Sequence, residues 1–513
     1  MTLLALPLCT AAAVWGIVSP KTLTAACDQL IDTTFEAAGS VVMWAVTAFV
    51  VLLVGLAVSR VGRLRLGNAD DRPEFSTLSW LAMLFAAGMG VGLLFWGVAE
   101  PISHFANPPA GAAFSAESMR RAMVLTSFHW GLHAWAVYAV AALVLAYFGF
   151  RRGQPALPSA PLRATFKGRW VKPVAGFADL LAIVAVAFGV AGSLAMGVLQ
   201  LHGGLAASTA IPAKSTLVPI LILAALTIAY LLSAATSLDK GIKWLSNINM
   251  ALAVILLVLV FAFGPTLELL GGFFRSLGDY VSALPLLQTE TLGYTADRWV
   301  QKWTLTYFVW WIAWAPFVGI FIARISRGRT IRQFVAGVLL VPTVFSVLWF
   351  AVLGGTGVHE QLHGGGQLAA MVAKDVTAAL FALFDTLPLS GLLSALALTL
   401  VFVFLVTSAD SATYVLGMLS SRGALDPSRK IKIAWGIGIA VLAAALALSH
   451  SIDVVRAITI TGALPFTVVL ILQVLAMLAA MVRDPELRRS RYAEEQCPSS
   501  DSSYSSSSPA RSS

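Results

Sequence analysis

Apolar runs long enough to cross a bilayer, at about 20 residues each, follow one another along almost the whole chain. They fall at roughly 3–19, 37–59, 77–99, 122–148, 175–201, 216–236, 245–264, 303–323, 334–353, 389–419, 431–449 and 457–482. Twelve spans are predicted. The basic residues support that reading independently, since 25 of the 34 Lys and Arg lie after every second span or in the tail. Positive loops stay on the cytoplasmic side, so both termini are expected there, with the chain integral to the plasma membrane. Charged residues make up only 12% of the sequence, against roughly 25% in soluble domains. The net charge of +9 comes in short clusters between apolar runs, which argues against nucleic acid as a partner. The first run lacks a basic leader region, which argues against a cleaved signal peptide. Cys9, Cys27 and Cys497 show no metal spacing. The expected fold is an all-α polytopic membrane protein.

Two spans carry breaking residues. Span 8 lies within WTLTYFVWWIAWAPFVGIFIARISRGRT (303–330), with Trp303, Trp310, Trp311 and Trp314, a helix breaker at Pro316, and Arg324, Arg327, Arg329 and Arg332 nearby. Aromatic residues usually mark membrane interfaces, but Trp310, Trp311 and Trp314 fall mid-run. Trp310 and Trp314 share one helix face, with Trp311 about 100° away. Such rings can wall a cavity for a cation, quaternary ammonium above all, or they can simply pack helix against helix. Span 3 holds Gly88, Gly90 and Gly92. Glycine costs a helix about 1 kcal/mol relative to Ala, so local unwinding at these hinge glycines is expected. Small-residue packing is the competing reading.

Counted from span 3, the spans form two sets of five, each opened by an interrupted helix. That spacing predicts an inverted five-plus-five repeat with a binding site at the membrane midplane. The expected organisation is two extra N-terminal helices (1–75), a first repeat (76–275), an amphipathic connecting helix (276–299) at the interface, a second repeat (300–483) and a disordered Ser-rich tail (484–513), whose basic flank could touch anionic lipid.

Polar groups within the spans mark further candidates. VTSADSATY (406–414) in span 10 offers hydroxyls and carbonyls suited to a monovalent cation. Asp410 there is a candidate partner for an Arg at the cytoplasmic end, and Ser411 and Thr413 are expected to bond back to their own helix. His129 and His133 in span 4 have metal spacing without a third ligand. Trp130 and Tyr138, eight apart, share a face as partners for the tryptophans of span 8. Glu100, before Pro101, reads as interfacial. No nucleophile, carboxylate pair or His-rich set argues for catalysis, so no enzyme and no organic cofactor is expected.

AAGMGVGLLFWGVAEP, SFHWGLHAWAVYA, WWIAWAPFVGIFIARISRGRTIRQF and VTSADSAT resemble matching segments of the betaine/carnitine/choline transporter family, over roughly residues 40–480. The resemblance implies twelve spans, an inverted five-plus-five fold, commonly a homotrimer, and a quaternary-ammonium substrate. It implies that Trp130, Tyr138 and Trp311 box the ammonium. Trp310 and Trp314 would line the access path, with Phe95 and Phe317 as gates. Backbone carbonyls of Ala86, Met89 and Phe404, with the hydroxyls of Thr407 and Ser408, would match the family's second sodium site. Val186 and Val190 stand where sodium-coupled relatives offer hydroxyls for another sodium. Choline carriers of the family tend to have Asp where this chain has Gly92, so the resemblance favours a zwitterion such as glycine betaine, with Na+ as coupling ion. The rival readings are a proton-coupled choline carrier, a carnitine-type exchanger, a membrane enzyme acting on choline-type head groups, and a sensor without transport.

Overall fold

The structure, a computed structural model, describes residues 2–484 and 486 apart from 89, 236–237, 294–296 and 450–451. The first helices are α1 (Thr2–Val18), α2 (Pro20–Val58), α3 (Thr77–Gly88), α4 (Val91–Ala106), α5 (Ala116–Trp130) and α6 (Leu132–Ala146). A short α7 (Ser159–Thr165) leads into α8 (Val171–Ser208), α9 (Leu217–Ala235), α10 (Leu238–Phe263) and α11 (Thr266–Gly293). The single turn α12 (Arg298–Val300) precedes α13 (Thr306–Ile325) and α14 (Ile331–His363). The short α15 (Leu368–Lys374) and α16 (Ala379–Phe384) then lead to α17 (Ser390–Ser420), α18 (Arg429–Leu448) and α19 (Ile452–Val482).

Among the described residues, nine helical segments are long and apolar enough to cross a membrane, or ten if α10 and α11, bent by 116°, count as one span. Each of the twelve expected runs carries helix, but not every one meets that test. α1 is only 17 residues long, and α3 and α4 are separated at the glycines. The connecting helix α11 begins at Thr266, ten residues earlier than expected. Residues 487–513 of the expected tail lie outside the described residues.

Burial places the site. The apolar window of Ala116–Arg151 is 94% buried and that of Arg298–Ile325 is 89% buried, against 28% for Leu217–Ala234. The segments carrying the Trp residues are therefore central, and the outer helices leave Val51, Ile228 and Val258 exposed, as lipid-facing surfaces require. α13 packs along α6, α8 and α19, while α4 packs on α5 and α14.

The arginine-rich loops close one end of the bundle by hydrogen bonding. Arg65 Nη1 donates to the Gly328 carbonyl at 2.9 Å, and the Leu66 and Gly328 amides exchange bonds with the Arg329 and Leu66 carbonyls at 2.8 Å. Gly328 has φ +79°, and a Cβ there would meet the Arg72 carbonyl at 2.3 Å, so only glycine fits. A capping box between Thr330 and Gln333 then starts α14.

Candidate functional site

Span 3 is broken as the glycines predict. α3 ends at Gly88, Gly90 is extended (φ −102°, ψ −153°), and α4 starts at Val91 with Gly92 in its first turn. Span 8 differs from expectation, because α13 runs through Pro316 without a break. Proline removes one helix donor and crowds the preceding turn, yet long buried helices accommodate it. The irregular turn lies instead at Gln301–Leu305, where the helix widens to i→i+5 bonding. A further break, unforeseen in the sequence, falls at Gly131 between α5 and α6. There the Tyr280 hydroxyl of α11 accepts from the Leu132 amide at 3.0 Å, and a Cβ on Gly131 would lie 2.8 Å from that hydroxyl. Trp130 and Tyr138 therefore sit on different helices, and they do not share a helix face as their spacing predicts.

Both nevertheless line one central cavity, together with Trp310, Trp311, Trp314, Gly90, Gly92 and Ser408. The cavity volume is about 50 Å³, space for a few water molecules. Its walls stand at steep angles. Trp130 and Trp311 are 4.9 Å apart between ring centroids at 76°, and Tyr138 and Trp311 are 5.8 Å apart at 83°. Two further aromatic residues, Trp96 and Tyr307, complete the lining. Tyr307 was within sight in the sequence, four residues before Trp311 and so on the same helix face.

The cage is held from behind by Glu100. This residue is not interfacial, because it is fully buried in the middle of α4, which continues through Pro101 to Ala106. Its Oε2 accepts from the Trp130 indole at 2.7 Å and from the Tyr307 hydroxyl at 2.5 Å. Its Oε1 bonds His129 Nδ1 at 2.7 Å and His104 Nε2 at 3.3 Å. His129 Nε2 bonds the Thr304 hydroxyl at 3.0 Å, and the His129 carbonyl accepts from the Trp311 indole at 2.8 Å. A carboxylate has about four acceptor positions, and here all four are used. Three cage rings from α5 and α13 are thus oriented by Glu100 and His129. Glu100, His104 and His129 bring donor atoms within 4.8 Å of one another, close enough to hold a metal ion. Glu100 itself is saturated by two histidines and two ring donors, while the outer nitrogen of His104, Nδ1, is buried without a hydrogen-bond partner among the described residues. The spaced pair His129 and His133 does not converge: His133 stacks on Phe308 at 5.7 Å.

The remaining candidates divide. Phe95 packs edge-on to Trp96 at 4.9 Å and Phe317 edge-on to Trp314 at 5.6 Å, each behind the lining. The Thr407 hydroxyl donates to the Val403 and Phe404 carbonyls, both at 3.0 Å. Ser408 Oγ lies 3.9 Å from where a Cβ on Gly90 would sit, so it faces the break in span 3. Ala86 lies in the last turn of α3, and Met89 falls outside the described residues. Val186 is buried and Val190 lines the cavity. Asp410 is buried with the Ser233 hydroxyl as its hydrogen-bond partner, not an arginine, and the basic side chain whose charge acts on it is Lys432 in the first turn of α18. Thr413 donates back to the Asp410 carbonyl at 2.7 Å.

Gly92 has a steric role that the sequence does not disclose. A Cβ there would meet Trp130 Cη2 at 2.8 Å. Gly92→Asp therefore displaces Trp130 from the cage. The expected result is at least a tenfold loss of ligand affinity, read by titrating tryptophan fluorescence, with Gly92→Ala intermediate. Unchanged affinity in Gly92→Asp would show that Trp130 is not held where the cage requires it.

The chain is a bundle of long apolar helices around a central aromatic cavity. The chain belongs to the betaine/carnitine/choline transporter family, whose model (BCCT, betaine/carnitine/choline family transporter) matches residues 1–486. It is a transporter and not an enzyme. It is 43% identical to the ectoine/hydroxyectoine transporter of Virgibacillus pantothenticus, over 91% of this chain and 92% of that protein. It is 40% identical to the glycine betaine transporter OpuD of Bacillus subtilis, over 93% of each. Among solved structures, the crystal structure of MhsT in complex with L-phenylalanine aligns with TM-score 0.43 and 16% identity, over 80% of this chain and 98% of that one. That likeness is too weak to place helices by.

Proposed function

We propose that this protein is a secondary transporter that imports a betaine-type zwitterion, coupled to sodium, by alternating access of two inverted repeats. The observation that carries this reading is the cage of Trp130, Tyr138, Tyr307 and Trp311 around one central cavity. Aromatic faces attract a desolvated ammonium by about 2 kcal/mol. The relatives named for glycine betaine and for ectoine support the same substrate class. Sodium coupling rests on Ser408 facing the broken span 3 and on Thr407 beside the Phe404 carbonyl, an oxygen-rich neutral setting that suits a monovalent cation. The homotrimer, the plasma-membrane location with cytoplasmic termini, and the gating roles of Phe95 and Phe317 belong to the same proposal.

Uptake of radiolabelled glycine betaine into liposomes containing the purified protein tests it. Accumulation is expected with an inward sodium gradient and absent with potassium or a proton gradient in its place. Uptake without sodium would remove the ion site. Uptake of choline alone would remove the zwitterion.

A further inference from the structure

A buried cation stands at the mouth of the cage with no ion-pair partner among the described residues. Arg456 lies in the second turn of α19 and is 8% exposed. Its guanidinium sits over the rings of Trp96, at 4.9 Å, and Trp303, at 5.1 Å. Its Nε is buried without a hydrogen-bond partner, and among the described residues no carboxylate lies within ion-pair distance of it. The neighbouring Glu100 is fully engaged by His129, His104, Trp130 and Tyr307.

Trp96 is shared by two cavities. It lines the aromatic cage, and with Trp303, Lys302, Lys374, Asp375, Asp453 and Arg456 it lines a larger cavity of about 1120 Å³. Arg456, stacked on Trp96 and Trp303, therefore sits on the partition between them. A buried guanidinium without a counter-charge is costly, and ionisable groups inside membrane bundles are usually retained for function. The guanidinium fork matches a carboxylate in both geometry and charge.

We propose that Arg456 is the carboxylate-recognising residue at the mouth of the cage, and that it selects zwitterions against plain quaternary ammonium cations. This rests on the zwitterion reading given above. An incoming carboxylate supplies the anion that Arg456 lacks and draws the guanidinium off the face of Trp96. The ammonium of the same ligand then takes the place of the guanidinium over that ring. A cation without a carboxylate supplies no counter-charge to Arg456 and meets its repulsion at the partition. Selectivity thus comes from a penalty on the wrong ligand as much as from attraction to the right one.

The test is equilibrium binding of glycine betaine, ectoine and choline to the purified full-length protein, read by tryptophan fluorescence. Arg456→Gln is expected to weaken glycine betaine and ectoine, which both carry a carboxylate, at least tenfold. Choline affinity should be unchanged or improved, and Arg456→Lys should give intermediate values for the zwitterions. An equal loss for all three ligands would make Arg456 merely structural and overturn the proposal, as would unchanged betaine affinity. If Arg456→Gln fails a thermal-melt check of folding, Arg456→Lys carries the test by the same betaine-to-choline ratio. Wild-type protein that binds neither betaine nor choline would remove the cage reading and this proposal with it. Betaine binding that survives Arg456→Gln would remove this proposal alone.

Discussion

Glu100→Gln is expected to lower betaine affinity by about two orders of magnitude. The carboxylate accepts from Trp130 and Tyr307 and faces two histidines, all of it buried. A glutamine keeps one oxygen but presents an NH2 group where two donors now converge. At least one buried donor then loses its acceptor, and the negative charge that the cluster is built around is gone. Breaking a buried charged network typically costs 3–5 kcal/mol. If about 3 kcal/mol of that falls on the cage geometry, the affinity drops roughly a hundredfold. Glu100→Asp should not rescue it, because a side chain one methylene shorter cannot reach both rings. Binding of betaine read by tryptophan fluorescence, alongside a thermal melt, separates lost geometry from lost fold. Near-normal affinity in Glu100→Gln would mean that the cage does not depend on its support.

Trp311→Leu should be the most damaging change in the cage itself. Trp311 stands edge to face with both Trp130 and Tyr138, and its indole is fixed by the His129 carbonyl. Removing its face forfeits about 2 kcal/mol of cation–π attraction for a desolvated ammonium, close to a thirtyfold loss of affinity. Trp311→Phe keeps a ring but loses the indole hydrogen bond, worth about 1 kcal/mol, and should fall between wild type and Trp311→Leu. Equal affinities for the Phe and Leu variants would exclude the ring face as the source of binding.

The tryptophans of the cavity and the span-3 glycines are legible because each leaves a one-dimensional trace: aromatic spacing and a helix-breaking triplet. What the sequence concealed was depth. Glu100 sits beside Pro101 in a stretch that turns polar, GVAEPISH, so hydropathy ends the span there. The helix in fact continues to Ala106 and carries the acid into the core. The same cause hid Arg456, which lies just outside the apolar run starting at 457 but is buried against two indoles. Pro316 misleads in the opposite sense. It promises a break, yet α13 carries on through it, while Gly131, an unremarked residue between Trp130 and Leu132, makes the break that re-aims the cage. Its conformation depends on Tyr280, 149 residues away, and contacts of that range leave no local pattern. Tyr307 and Trp96 join the lining from helix faces on which Trp311 and Gly92, each four residues away, are the more conspicuous residues.

The most direct test of the cage is a structure of the protein with glycine betaine bound, at a resolution that places a small ligand. The account predicts density for the trimethylammonium group between Trp130, Tyr138, Tyr307 and Trp311, with the rings' faces turned toward it. Saturable betaine binding with density elsewhere, and this cavity filled only by water, would contradict it.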